Sequence, residues 1–325
     1  MPKLVLTGVG GGIGGIAADY ALEIARPDQK FLFTSTDLSK LPVSKVDGWK
    51  AKGAEVAEAN YDDPESLSKV FKGAEAVAFI STWALGHRPR QAANVIEAAK
   101  AAGVNRICYT SFIGAGLGND SEEARQRDLK TIPFLPRDHV QTERLIRASG
   151  LQWNIQRDYL YQDNCAAFFS QSWKFCGDRW LNNTDGRRGA YVAREDCGRV
   201  FGALLVGRAP PNTCYTVTGP EAVTDRELFE YMNSVSGYKA EFVDMVDDEL
   251  AAWWRERGLP DDAINGDFSK LPMKLCIPDL LCCGEMVAQS HMEEVTDAVE
   301  KLSGRKPLRY QENFKKYEHL FPRND

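Results

Sequence analysis

The sequence predicts an α/β fold, a doubly wound parallel sheet with a smaller, mainly helical lobe drawn from the later part of the chain. Three observations predict it. Short apolar runs alternate with helix-period segments through the first half, a glycine-dense turn directly follows the first run, and the alternation stops near residue 158. Strands buried on both faces read as continuous apolar runs, and helices between them make right-handed crossovers, so the sheet is parallel.

The elements follow in order. "KLVLT" is a strand, followed by the glycine turn and then "GIAADYALEIARP", whose apolar residues recur at helical spacing. "KFLFTST" is the second strand. "AEVAEANYDDPESLSKVFKGA" gives a short strand, a turn and a helix opened by Asp63-Pro64-Glu65, a favourable first turn for the helix dipole. "AVAFIST" is the fourth strand, and "QAANVIEAAKAAG" is a helix ended by Gly103. "RICYTSFIG", "DHVQTERLIRASG" and "QWNIQRDYL" are a strand, a helix and the sixth strand. Beyond them, "NCAAFFSQSWKF" is apolar and aromatic, "GRRGAYVAREDCGRVFGALLVG" carries a short strand and a helix, and "CYTVTGP" is another strand. "TDRELFEYMNSVSG", "VDDELAAWWRERG" and the final third read as mostly helical. The expected division is a Rossmann-type domain over 1–157, with returning segments near 189–218, and a smaller substrate-binding lobe from 158–188 and 219–325.

Composition bounds the function. A chain of 325 residues, 43% hydrophobic and 26% charged, has an ordinary globular make-up and can bury a substantial core. A net charge of −6, with lysine and arginine dispersed, argues against nucleic acid or an anionic membrane as partner. No apolar stretch is long enough to span a bilayer, and the first residues form a strand, not a signal peptide. Eight irregularly spaced cysteines, with no zinc-like spacing, are expected to be reduced thiols in a cytoplasmic protein, and no metal site is expected.

Six glycines fall in the eight positions from Gly8 to Gly15. A strand, a glycine turn and a helix in that order hold a dinucleotide's pyrophosphate: glycine permits close backbone approach, and the helix N-terminus offers free N–H groups. Two phases fit, G-x-G-x-x-G on Gly10, Gly12 and Gly15, and G-x-x-G-x-x-G on Gly8, Gly11 and Gly14. The strand runs to Thr7, so the first structural glycine should be Gly8, and only the second phase starts there. That spacing is the one found in extended and atypical short-chain dehydrogenases. After the second strand, Asp37 could hold a ribose or cap the next turn. Lys40 and nearby hydroxyls could hold a 2′-phosphate, so NADP(H) is favoured over NAD(H).

From "GAEVAEANYDDPESLSKVFKGAEAVAFIST" onward the chain resembles the NmrA-like family of atypical short-chain dehydrogenases. The likeness continues through "LGHRPRQAANVIEAAKAAGVNRICYTS", "HVQTERLIRASGLQWNIQRDYLYQDN" and "YTVTGPEAVTDRELFEYMNSVSG" to "VEKLSGRKPLRYQENFKK". That family includes NAD(P)H-dependent quinone oxidoreductases, triphenylmethane dye reductases and a nucleotide-sensing repressor. The resemblance implies that Gly8, Gly11 and Gly14 line the pyrophosphate with Ile13 beside them. Thr36 falls where many members carry an arginine for the 2′-phosphate, and Lys40 matches a second basic position. Asn60, Tyr61 and Asp62 fall where the family contacts adenine. Ser81, Thr82 and Trp83 would flank the nicotinamide ribose, with Gln91 on the following helix.

Typical short-chain dehydrogenases pair Tyr and Lys in Y-x-x-x-K with a serine after the fifth strand. Here "HVQTE" puts His139 and Glu143 in those places, and Ser111 remains near the serine position. His139 is either a proton donor or a bonded residue on a helix face. Tyr161 is a second candidate acid, and Tyr159, Asn164, Phe168 and Trp173 are candidate substrate contacts or core. The expected activity is NAD(P)H-dependent reduction of a quinone or another aromatic or conjugated molecule, with a small apolar or aromatic partner and a homodimer left open. The alternatives are a non-catalytic NAD(P) sensor and a biosynthetic reductase or isomerase.

Overall fold

Apolar runs that are short, β-branched or aromatic and closed off by turns become the strands of one sheet. The computed structural model describes residues 1–324. Six strands, β1 (Lys3–Thr7), β2 (Lys30–Ser35), β3 (Glu55–Glu58), β4 (Ala74–Phe79), β5 (Arg106–Phe112) and β6 (Gln152–Asp158), are joined at one edge by Thr213–Val217. The order across the sheet is β3-β2-β1-β4-β5-β6 and then Thr213–Val217. Every pairing in it is parallel. The direction of winding reverses between β1 and β4, which opens a crevice at the carboxyl ends of those two strands, where open α/β sheets bind ligands.

Both faces of the sheet are buried. Leu4, Leu6, Phe31, Phe33 and Cys108 pack in one cluster with residues of the helices Gly12–Ile24 and Arg194–Leu205. Val5, Leu32, Val77, Ile107 and Ile155 pack in a second cluster with residues of the helices Pro64–Phe71, Arg88–Ala101 and Phe134–Ala148. The sequence signals for these helices hold locally. Asp63 caps Pro64–Phe71, its Oδ1 accepting the N–H groups of Glu65 (3.0 Å) and Ser66 (3.2 Å).

Boundaries differ from the expectation in two instructive places. The first helix starts at Gly12, inside the glycine run, and ends at Ile24, because Pro27 restricts the residue before it to extended backbone. Helix Val43–Ala51 was not anticipated: its one buried residue is Trp49, so it has no apolar stripe to betray it.

The helices Gly12–Ile24 and Arg194–Leu205 run in the same direction and touch closely. A Cβ on Gly198 would lie 2.6 Å from the Ile16 Cβ, and one on Gly202 would lie 2.7 Å from the Ala17 carbonyl oxygen. Two glycines one helical turn apart therefore set the separation and register of the pair. Both N-termini consequently emerge on the crevice side.

The later chain supplies helices Asp225–Ser236, Asp247–Arg255 and Ile277–Ala288 and two small two-stranded sheets. Thr224 and Glu227 form a reciprocal cap on the first of these, which stops at Gly237 (φ +68°). "NCAAFFSQSWKF" is helical, with a π-type turn over Cys165–Phe169. The final third is less helical than expected, since no helix or strand lies between Arg255 and Ile277. Among the described residues no helix is long and apolar enough to cross a membrane, and all eight cysteines are free.

Candidate cofactor and active site

The glycine turn is built as a phosphate cradle. Gly8 sits in the left-handed region (φ +73°), where a side chain would be strained, and its carbonyl accepts the Gly11 N–H at 3.1 Å. A Cβ on Gly14 would lie 2.2 Å from that same Gly8 oxygen, so only glycine lets the helix pass so close to the turn. Gly11 enters the helix with extended backbone, no side chain caps it, and the first turn carries no acid. The N–H groups of that turn are thus left for an anion.

A groove runs from Gly8, Gly10 and Gly11 past Thr36, Asp37 and Lys40 to Asn60, Tyr61 and Asp62, and on to Ser81, Thr82 and Trp83. Its walls are tied. Asp37 accepts the Ser39 N–H at 2.9 Å and lies 3.2 Å from the Lys40 ammonium, and its bonds to Ser39 and Lys40 hold its carboxyl below the usual range. The Tyr61 hydroxyl reaches Thr7 at the end of β1 and the Ile80 carbonyl at the end of β4, bridging the two strands that border the crevice. Gln91 donates to Asp62 at 3.0 Å and accepts from Thr82 at 2.6 Å, while Arg90 pairs with Asp62 at 2.8 Å. Ile13 is buried beside the turn, whereas Trp83 is 56% exposed.

The positions of the usual Tyr-Lys pair face inward. His139 is buried, its Nδ1 hydrogen-bonded to the Tyr109 hydroxyl at 2.9 Å, and burial with the nearby Arg88 charge holds its pKa well below the usual histidine value. Glu143 is fully buried and forms a two-pronged pair with Arg157, Nε to Oε1 at 2.9 Å and Nη2 to Oε2 at 2.7 Å. Ser111 donates to the same carboxylate at 2.6 Å. The interior thus contains a saturated Ser111–Glu143–Arg157 network around a buried carboxylate.

On the other face, past the end of β6, the Tyr161 hydroxyl donates to Asp158 at 3.0 Å. Burial raises the Asp158 carboxyl to about 7 and keeps the Tyr161 phenol well above its ordinary value, hence protonated. Arg194 lies across the Tyr161 ring, 4.8 Å from its centroid, and donates to the Asn164 side-chain Oδ1 at 2.5 Å. Tyr161, Asn164, Phe169, Trp180, Tyr191 and Asp225 help enclose a cavity of about 50 Å³, enough for a water or two but too small for an aromatic ring. Tyr159 and Trp173 lie in the core, Trp173 packed edge-on against Phe229 at 4.9 Å, and half-buried Phe168 packs in the cluster around Trp254. The sequence could not separate these roles, since core and pocket aromatics carry the same pattern. Arg194 carried no sequence signal at all, because only the register of two helices brings it to the glycine turn.

Fold, crevice and cradle together define a dinucleotide-binding α/β protein. The family model described as NAD(P)H-binding matches residues 11–200, and the chain belongs to that family. It is 26% identical over 259 residues to an NmrA-like family domain-containing oxidoreductase of Aspergillus flavus, covering 76% of each chain. It is 26% identical over 219 residues to quinone oxidoreductase 2 of Escherichia coli, covering 67% of this chain and 71% of that one. The fold matches the Escherichia coli NADPH-dependent quinone oxidoreductase complexed with NADPH, with a TM-score of 0.75 at 22% identity over 98% of this chain and 99% of that one. It also matches the triphenylmethane reductase of Citrobacter sp., with a TM-score of 0.74 at 22% identity over 98% of this chain and 100% of that one. The cradle fits the family's cofactor: the close approach at Gly14 and the uncapped helix end are what a pyrophosphate needs.

Proposed function

We propose that the protein is an NAD(P)H-dependent oxidoreductase that reduces a quinone or another aromatic or conjugated small molecule by hydride transfer. One observation carries the reading: a single groove joins the phosphate turn to the exposed indole of Trp83. A bound nicotinamide supplies the hydride. The chain's own part is to hold it and to seat an acceptor. Thr82, fixed by Gln91, and Ser81, whose N–H donates to Thr110 at 2.8 Å, form a rigid shelf at the nicotinamide end. Trp83 offers a planar acceptor a face to stack on. Relatives named for quinone, azo and triphenylmethane reduction support that acceptor class.

Hydride added to a quinone leaves a phenoxide that takes up one proton, whereas hydride added to a cationic dye needs none. We propose Tyr161 as the proton source, with Asp158 behind it exchanging protons near neutrality. Tyr161 lines the small cavity and not the groove, so the proton crosses from that cavity to the acceptor on Trp83. Positioning then supplies most of the rate, which makes the missing Tyr-Lys pair tolerable. NADP(H) is the proposed cofactor, with Lys40 as its 2′-phosphate contact; neighbours solved with NADPH or NADP(H) support it.

The test is consumption of NADPH and of NADH by the purified protein with a soluble quinone and with a triphenylmethane dye. Turnover faster with NADPH is expected. Tyr161→Phe should slow quinone reduction about 100-fold and leave dye reduction nearly unchanged. No turnover with any acceptor, together with different affinities for oxidised and reduced nucleotide, would overturn the enzyme reading in favour of a sensor.

A further inference from the structure

The glycine turn has a neighbour from a distant part of the chain. Because Gly198 and Gly202 fix the register of the helix Arg194–Leu205 against Gly12–Ile24, its first residue stands beside the first residue of the other helix. A Cβ on Gly12 would meet a single neighbour, the Arg194 Cδ at 3.5 Å. A Cβ there would sit in ordinary van der Waals contact with the aliphatic stem of Arg194, and a longer side chain at residue 12 would meet that stem.

The head of that side chain is also unusual. Its guanidinium rests on Tyr161 and bonds the neutral Asn164 amide. Nearby cations are otherwise matched: Arg199 and Lys316 pair with Glu195, and Arg305 pairs with both Glu195 and Asp196. Among the described residues no carboxylate forms an ion pair with Arg194; Asp163 takes only its backbone N–H, at 2.9 Å. A cation held on an aromatic shelf, without an ion-pair partner among the described residues, therefore has its stem against the first residue of an uncapped helix that carries no acid in its first turn. The planar fork of arginine suits two phosphate oxygens at once.

We propose that Arg194 is the second arm of the cofactor's phosphate clamp: the glycine turn holds the pyrophosphate with backbone N–H groups, and Arg194 closes on it from the helix across the crevice. Gly12, where a Cβ would rest against the arm's stem at 3.5 Å, keeps any longer side chain out of the arm's path. The inference rests on the dinucleotide reading of the turn and is independent of the substrate.

Binding affinities, measured by calorimetry, test it with NADPH, with ADP-ribose (pyrophosphate but no nicotinamide) and with adenosine (neither). Arg194→Met keeps the stem and removes the charge. It should weaken NADPH and ADP-ribose alike by about ten-fold or more and leave adenosine unchanged, with Arg194→Lys recovering part of the loss. Gly12→Leu, which displaces the stem without touching the charge, should produce the same pattern. Unchanged ADP-ribose affinity in Arg194→Met overturns the proposal. So does an equal loss for adenosine, which would mean the groove itself had moved, or a loss confined to NADPH, which would place the arginine at the nicotinamide or the 2′-phosphate, the two groups that ADP-ribose lacks. Failure of the wild-type protein to bind NADPH or ADP-ribose would instead overturn the dinucleotide reading beneath it.

Discussion

Glu143 is the residue at which this chain departs most sharply from the short-chain dehydrogenase plan. In the helix it occupies the lysine position, but its carboxylate is fully buried and saturated by Arg157, Ser111, Asn119 and Arg147. Such a pair is costly to break, because removing one partner leaves the other charge buried and uncompensated. Glu143→Gln should therefore destabilise the fold by about 3–5 kcal/mol, read by urea unfolding, and Glu143→Lys by more. A lysine at this position would meet the buried Arg157 guanidinium, and the nearby Tyr109 phenol is already bonded to His139, so the short-chain dehydrogenase chemistry would not follow. His139 makes a related point. Its position was legible in the sequence, but its surroundings were not: a ring tied to Tyr109 and held neutral by burial looks, in one dimension, the same as a ring facing substrate.

At the scale of elements, the alternation of strands and helices, the Asp63 cap and the end of β1 were all readable, because each depends on neighbours in the chain. The phase expected for the glycine run rests on the same kind of local signal, the strand's end at Thr7; Gly8 takes left-handed backbone there, and a Cβ at Gly14 would lie 2.2 Å from the Gly8 oxygen. The partner of the first helix was not readable. Helix Arg194–Leu205 reaches it only through Gly198 and Gly202, over 180 residues away in sequence. Gly198→Ala would set a methyl group 2.6 Å from the Ile16 Cβ, and the pair would have to part. A loss of about 1–3 kcal/mol in unfolding free energy is expected. A weaker affinity for NADPH should accompany it, since the shift moves Arg194 away from the turn. A variant that lost neither would show that the two helices do not set the site.

At the scale of the whole molecule, burial of carboxyls links folding to pH. Asp158 is raised to about 7, and Asp225 and Asp279 to about 6, in each case chiefly by burial. A raised carboxyl binds its proton more tightly when folded. Its stabilisation is therefore complete below the unfolded value near 4 and is lost as pH climbs through the folded one. His139, held below 6.5, acts in the opposite sense, losing its contribution as pH falls. Comparing variants separates the two. Unfolding free energies of wild type and Asp158→Asn, measured by urea at about pH 5 and about pH 8, should converge or cross in the variant's favour by a few kcal/mol at the higher pH. A pH-independent difference would mean that Asp158 does not titrate in this range.

Local chemistry along the chain was enough to specify the strand–turn–helix that binds a nucleotide and the doubly wound sheet. Each is written in residues a few positions apart, where backbone conformation and helix capping act. Tertiary structure alone decided which aromatic side chains pack in the core, which carboxyls are buried enough to hold protons near neutrality, and which cation stands at the glycine turn. Those outcomes depend on desolvation and on the register of elements distant in sequence, and no short stretch of chain encodes either.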